Sequence, residues 1–386
     1  MAKGFVDLAD ELQQIKQQNL YRSRRIISSP QGVEIVVDDK KLINFSSNDY
    51  LGLANHPEVI AAFQSATNQY GVGSGSAHLI CGHSQSHHAL EEELADFTGR
   101  DRALLFSTGY MANMGVISAL VGRGDQVFQD RLNHASLLDG GLLSAARSKR
   151  YLHNNLDDLA DKINPIDGRT LIVTDGVFSM DGDVAPIKKL SKLALAKDAW
   201  LMVDDAHGLG VFGATGAGLI QQAGLSQHDV PILMGTLGKG FGTFGAFIAG
   251  SELLIETLIQ KARSYVFTTA LPAAVAEATR SSLKLVITES WRRDKLQSHV
   301  KRFQSGAKQL GLSIMPSESA IQPILIGDSQ QAVKISNALL NKGFLVSAIR
   351  PPTVPKGEAR LRITFSANHH SQHVDQLLAA LDAVSL

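Results

Sequence analysis

Lys239 is a lysine set among glycines. It lies in Met234-Gly-Thr-Leu-Gly-Lys-Gly-Phe-Gly-Thr-Phe-Gly245, with the apolar run Pro231–Met234 before it and Phe244–Ala249 after it. Glycines allow positive φ and the close approach of another molecule. A lysine partly desolvated by apolar neighbours has a lowered amine pKa, and as a free amine it attacks a carbonyl carbon to form a Schiff base. Two phosphate-binding motifs fail here. A P-loop needs glycine where Leu233 stands and Ser or Thr where Gly240 stands. Gly240-x-Gly242-x-x-Gly245 matches the dinucleotide fingerprint, but that pattern opens a helix and Phe244–Ala249 reads as a strand. By itself the segment is equally a glycine-rich hairpin with a surface lysine.

Other polar residues follow short apolar runs in the same way. Trp200–Asp204 leads into Asp205-Ala-His207, where alternation along a strand keeps Asp204 and Asp205 from facing one site. Asp204 and His207 have a metal-ligand spacing, but a metal site wants further histidines or carboxylates and a second shell, and none stands out, so no metal is expected. Gly208-x-Gly210-x-x-Gly213 is a second dinucleotide-like match, with its acidic pair before the glycines rather than after them. Ala103–Phe106 ends in Ser107-Thr-Gly109-Tyr110 at a helix start, where free amides suit a phosphate and Ser or Thr equally serve as caps. His134 follows Gln126–Gln129, and Leu171–Thr174 ends in an Asp- and Gly-rich turn from Asp175 through Ser179 to Gly182.

These segments belong to an alternation of strand and helix. Strands are expected at 103–106, 126–129, 171–174 and 200–204, and helices at 111–121, 135–146 and 187–197. That order implies a mostly parallel sheet covered on both faces, with ligands beyond the carboxyl ends of its strands. A hairpin is expected from Glu34–Val37 through Asp38-Asp39 to Leu42–Phe45, and a glycine-rich loop over Gly71–Gly82. Toward the C-terminus come strands at 321–326, 345–349 and 360–365 with helices between and after them. The expected organisation is an arm over 1–45, a large α/β domain over 46–288 and a small C-terminal α/β domain over 289–386.

Composition narrows the class. The 386 residues are 44% hydrophobic, enough for a large core, and 37 basic residues balance 37 acidic ones. Without a basic excess no nucleic-acid or anionic-membrane partner is expected. One cysteine, Cys81, permits no intrachain disulfide and suits a reducing cytoplasm. No apolar run reaches the roughly 18 residues of a membrane span. Phe5, Leu8, Leu12 and Ile15 instead mark an amphipathic N-terminal helix whose acids, Asp10 and Glu11, a transit peptide would lack.

A Schiff-base lysine, an acid and a phosphate-sized anion site together are what pyridoxal phosphate requires. Five segments then carry a resemblance: Asn44-Phe-Ser-Ser-Asn-Asp-Tyr-Leu-Gly-Leu53, Asp130-Arg-Leu-Asn-His-Ala-Ser-Leu-Leu138, Gly176-Val-Phe-Ser-Met-Asp-Gly-Asp183, Val203-Asp-Asp-Ala-His-Gly208 and Ile349-Arg-Pro-Pro-Thr-Val-Pro355. Essentially end to end, the chain resembles the α-oxoamine synthases. These are fold-type I pyridoxal-phosphate acyltransferases that join an amino acid to an acyl thioester with loss of carbon dioxide. By that resemblance Lys239 holds the cofactor and moves the α-proton. Asp204 pairs with the ring nitrogen, His207 bonds the phenolic oxygen, and His134 stacks on the ring and assists as an acid. Gly109, Tyr110, Ser179 and Thr236 hold cofactor oxygens and phosphate. Thr268 or Thr269 reaches the neighbour's phosphate in a homodimer with sites at its interface. Arg22, Asn48, His134, Arg350 and Thr353 face substrate. The segment ending at Pro355 favours L-alanine and a pimeloyl thioester, on coenzyme A or an acyl carrier protein, over the glycine-using members. Asp175 departs from the glutamate expected there, and Ser76-Ala-His78 from a glycine-richer loop. A cofactor-binding protein without acyl transfer is the reading from another class.

Overall fold

The structure is a computed structural model describing residues 6–384. Phe5, invoked for the first helical pattern, lies outside the described residues; the helix itself runs Val6–Gln17. The hairpin pairs β1 (Glu34–Val37) with β2 (Lys40–Asn44) in antiparallel register. Asp38 and Asp39 turn it with φ of 47° and 62°. Two consecutive left-handed residues match the twist of the flanking strands, and Asp tolerates that conformation better than most.

The chain divides into two compact units. One holds Asn48–Ser179 and Asp183–Leu296; the other holds the chain up to Ser47, Met180–Gly182 and the chain from Gln297. The first contains β3 (Arg102–Phe106), β4 (Gln126–Asp130), β5 (Arg147–Tyr151), β6 (Thr170–Asp175), β7 (Trp200–Asp204), β8 (Ile232–Thr236) and β9 (Ala246–Gly250). They form one sheet in the order β3-β9-β8-β7-β6-β4-β5. Strands β5, β4, β6, β7 and β8 run parallel, and β9 is antiparallel to both neighbours. The strands are continuous apolar runs because helices cover them. Val127, Val173, Met202 and Ile248 share a core with Val116 and Ile117 of helix Gly109–Leu120 and Leu258 of helix Glu252–Lys261. Each fully buried aliphatic side chain of this kind contributes roughly 1.5–3 kcal/mol.

In the second unit β10 (Ile321–Gly327), β13 (Ala359–Thr364) and β12 (Ser347–Ile349) form one sheet, and β11 (Phe344–Leu345) pairs in parallel with β2 in another. The single strand expected at 345–349 is therefore two. Between them Val346 is buried, and its carbonyl accepts from Ser336 Oγ at 2.6 Å, which takes it out of the ladder. Three elements of the large unit were not foreseen, β5, helix Leu156–Lys162 and the short helix Gly218–Gln222. The loop 71–82 also contains a π-helical turn at His78–Gly82. Among the described residues no helix is long and apolar enough to cross a membrane.

Candidate active site

The carboxyl ends of β6, β7 and β8 stand level. Asp175 is in register with Asp204, and Asp204 with Met234. Ligands of open α/β sheets gather at this edge. Asp204 is 4% exposed. Its Oδ2 accepts from Asn113 Nδ2 at 2.7 Å, and its Oδ1 accepts from the Ala206 amide at 3.0 Å. Asn113 Nδ2 also donates to Ser136 Oγ at 2.9 Å, which lies 2.8 Å from His134 Nδ1. One hydrogen-bonded row thus runs from Asp204 to His134.

A second row contains the lysine. Lys239 Nζ lies 2.9 Å from His207 Nε2, and His207 Nδ1 lies 2.6 Å from the Tyr50 hydroxyl. That hydroxyl also donates to Asn48 Oδ1 at 3.2 Å. The turn after β7 brings His207 back over the strand end, because the amides of Gly208 and Leu209 both bond the Asp205 carbonyl. Asp205 points the other way and is fully buried. A Cβ on Gly208 would come within 2.0 Å of its Oδ1, so this glycine serves close packing around a buried acid rather than a dinucleotide.

Electrostatics separate the site's ionisable groups. Burial pulls the His134 imidazole below the ordinary histidine range; Asp204 opposes this and Lys239 adds to it. The Ser136 amide donates to Nδ1, so the neutral ring carries its proton on Nε2. Burial, reinforced by the neighbouring Asp204 charge, holds Asp175 well above the usual carboxylate range. Its Oδ2 accepts the His134 amide at 2.7 Å and fixes the histidine's backbone. The shorter side chain, where glutamate was expected, still spans the gap between β6 and this loop.

The remaining expected cofactor residues are also in this unit. Helix Gly109–Leu120 is capped by Thr108, whose Oγ1 accepts from Met111 at 3.2 Å. The first amides of a helix have no partner within it. A Cβ on Gly109 would meet Met234 Cε at 2.7 Å and Thr236 Cγ2 at 2.8 Å, so only glycine lets these amides approach the end of β8. Tyr110 is exposed, and its hydroxyl donates to Asp139. Ser179 is half-buried in the turn after β6. Thr269 pairs as an isolated antiparallel bridge with Ala77, and Thr268 precedes it half-buried. His153 braces the surrounding loops, with Nδ1 3.0 Å from Asp130 Oδ1 and Nε2 2.8 Å from Asp183 Oδ2.

The expected substrate residues divide. Asn48 belongs to the large unit, while Arg22, Arg350 and Thr353 belong to the other. There Arg22 Nη2 donates to Thr353 Oγ1 at 3.4 Å, and Arg350 donates to the Asn19 carbonyl. All three line a cavity of about 620 Å³ with Tyr21, Arg25 and Ser347.

Residues 40–381 match the aminotransferase class I and II family. The chain belongs to that family. The 8-amino-7-oxononanoate synthase of Thioalkalivibrio sulfidiphilus is 60% identical over 378 residues, covering 97% of this chain and 96% of that protein. The enzyme of the same name from Pseudomonas putida is 59% identical over 375 residues, covering 97% and 96%. A serine palmitoyltransferase solved with PLP superimposes with a TM-score of 0.93 at 32% identity, over 98% of this chain and 96% of that one.

For a class I and II aminotransferase, the site's residues fit the cofactor. An amine on a glycine-rich turn, a buried carboxylate at a strand end and a helix start cleared by Gly109 are groups of the kind that would hold its aldehyde, ring nitrogen and phosphate. Sequence reasoning passed over Tyr50, Asn113 and Ser136. Tyr50 sits inside a segment quoted for the resemblance, and Asn113 is a buried polar side chain in an otherwise apolar helix face, which is the signal that could have found it.

Proposed function

We propose that this chain joins L-alanine to a pimeloyl thioester with loss of carbon dioxide, the reaction of the 8-amino-7-oxononanoate synthases, in biotin synthesis. Pyridoxal 5'-phosphate is the cofactor, and the protein is a transferase. One observation carries the chemistry: the Lys239 amine lies 2.9 Å from His207, one turn from a buried Asp204 held by Asn113. The choice of substrates rests on relatives that are 58–60% identical and carry that name.

When bound, the cofactor's protonated ring draws electrons from the amino acid's Cα. Asp204 is the acid suited to hold that ring proton, with its oxygens kept in place by Asn113 and the Ala206 amide. Lys239 Nζ takes and returns the α-proton, and His207 orients it. His134, neutral and with its proton on Nε2, donates toward the thioester oxygen as charge grows there. A bond forms between alanine Cα and the acyl carbon, the carbon–sulfur bond breaks, and the thiol leaves. The alanine carboxylate then leaves as carbon dioxide. Arg22, Asn48, Arg350 and Thr353 bind the substrates; Gly109, Tyr110, Ser179 and Thr236 bind the cofactor. The reading includes a cytoplasmic homodimer in which Thr268 or Thr269 reaches the neighbouring subunit's site, and either coenzyme A or a carrier protein as the acyl donor.

Steady-state assays with alanine or glycine against pimeloyl-, acetyl- and succinyl-coenzyme A test this. Alanine with the pimeloyl thioester is expected to give the highest kcat/KM. One methyl group separates the two amino acids, worth about 1–3 kcal/mol in an apolar pocket, so a 10- to 100-fold preference is the expected scale. Glycine winning with a shorter thioester would overturn the substrate assignment. Borohydride reduction of the loaded protein and peptide mapping should find the pyridoxyl group on Lys239; finding it elsewhere removes the mechanism.

A further inference from the structure

The start of helix Gln85–Thr98 gathers four imidazoles, from His78, His83, His87 and His88, near the carboxylate of Glu91. None of them has a part in the reaction above. Residues three apart share a helix face, which brings His88 and Glu91 together, and His83 folds back from the preceding turn. One ligand atom each from His83, His88 and Glu91 falls within a span of 4.8 Å.

The groups are held as ligands would be. Glu91 is 9% exposed. Its Oε1 accepts the Leu105 amide at 2.9 Å, which ties it to β3, and its Oε2 turns to His83 Nε2 at 4.0 Å. His83 is fixed from behind, with Nδ1 2.9 Å from His78 Nδ1, and His78 in turn stacks on Tyr265. A partner on the far ring nitrogen is how proteins orient a metal-binding imidazole. His87 is different. Its Nδ1 accepts from the Ser84 amide at 3.0 Å and its Nε2 bonds the Leu271 carbonyl at 2.6 Å, so both nitrogens are committed to structure.

We propose that His83, His88 and Glu91 bind a divalent transition-metal cation of the zinc type. Two imidazoles and one carboxylate suit zinc, whereas magnesium and calcium prefer all-oxygen sets. Around a tetrahedral ion with bonds near 2.1 Å, ligand atoms stand about 3.4 Å apart, so from a span of 4.8 Å the site must contract by up to roughly 1.4 Å. His88 is the ligand with most room to move, since its side chain is 65% exposed, with Nε2 3.4 Å from Glu92 Oε1 and its ring edge-on to His83 at 5.9 Å between centroids. A bound cation would tie the His78–Gly82 turn to β3 through Glu91. That turn follows Ala77, the bridge partner of Thr269, so the ion would stiffen the segment carrying Thr268 and Thr269.

The test uses the full-length, cofactor-loaded protein, without a histidine tag and stripped with chelator, titrated with zinc chloride in a calorimeter. One zinc per chain is expected, with affinity at least about tenfold weaker in His88→Ala and in His83→Gln. Zinc should also raise the unfolding midpoint of the wild type and not of His88→Ala, whose exposed position leaves the fold intact. Equal binding by wild type and both variants, or no binding by the wild type, overturns the proposal.

Discussion

The Tyr50 hydroxyl fixes the direction of His207, since it holds Nδ1 at 2.6 Å while Nε2 faces Lys239 at 2.9 Å. Tyr50→Phe removes that hold together with the hydroxyl's bond to Asn48 Oδ1. A hydrogen bond of this kind contributes about 1–1.5 kcal/mol, so kcat should fall about tenfold, with a rise in KM for alanine wherever Asn48 loses its place and the unfolding midpoint nearly unchanged. An unchanged kcat would show that His207 needs no such support. His153 makes a pH-dependent claim. Burial works against its charge, but the hydrogen bonds it donates to Asp130 and Asp183 lift its pKa to about 9. Its contribution is fully present below the unfolded value of about 6.5 and is lost as pH rises through about 9. His153→Gln should therefore lower the urea midpoint clearly at pH 6, by on the order of 2 kcal/mol in stability, and hardly at all at pH 10. At this scale the sequence singled out Lys239 by its glycine turn, and the structure sets its amine beside His207. Tyr50 and Asn113 were not readable, because their part depends on which partners the fold brings to them.

Gly208 shows what the turn after β7 requires. A methyl group there would overlap the carboxylate of Asp205, which is fully buried and tied to the Leu219 amide at 2.7 Å, so it cannot step aside. Gly208→Ala should cost about 1–3 kcal/mol, measured as a drop in the unfolding midpoint, and shift His207 enough to reduce cofactor occupancy. Full stability in that variant would mean Asp205 has room that the packing denies. The strands around this turn were legible because each is a short apolar run bounded by polar residues. Strand β5 was not. Arg147, Ser148, Lys149 and Arg150 are exposed on the sheet's edge, where charge guards against further pairing and erases the apolar pattern. The splitting of β11 from β12 follows their pairing partners, β2 for one and β13 for the other, which no local pattern records.

At the scale of the whole protein, the proposed homodimer predicts a particle of twice the 41.5 kDa chain mass by light scattering at micromolar concentration. A catalytically competent monomer would remove Thr268 and Thr269 from any shared role. The broad architecture could be read from the alternation of strands and helices, but the grouping of residues up to Ser47 with those from Gln297 could not, since sequence distance hides it. Strand β2 finds its second neighbour in β11, some three hundred positions further along. On the ribosome, then, the hairpin leaves the exit tunnel long before β11 and must wait with one flank bare until Phe344 and Leu345 have been translated. A message truncated before Phe344 would release a nascent chain with a ready-made sticky flank, and holding it apart from other copies would fall to chaperones.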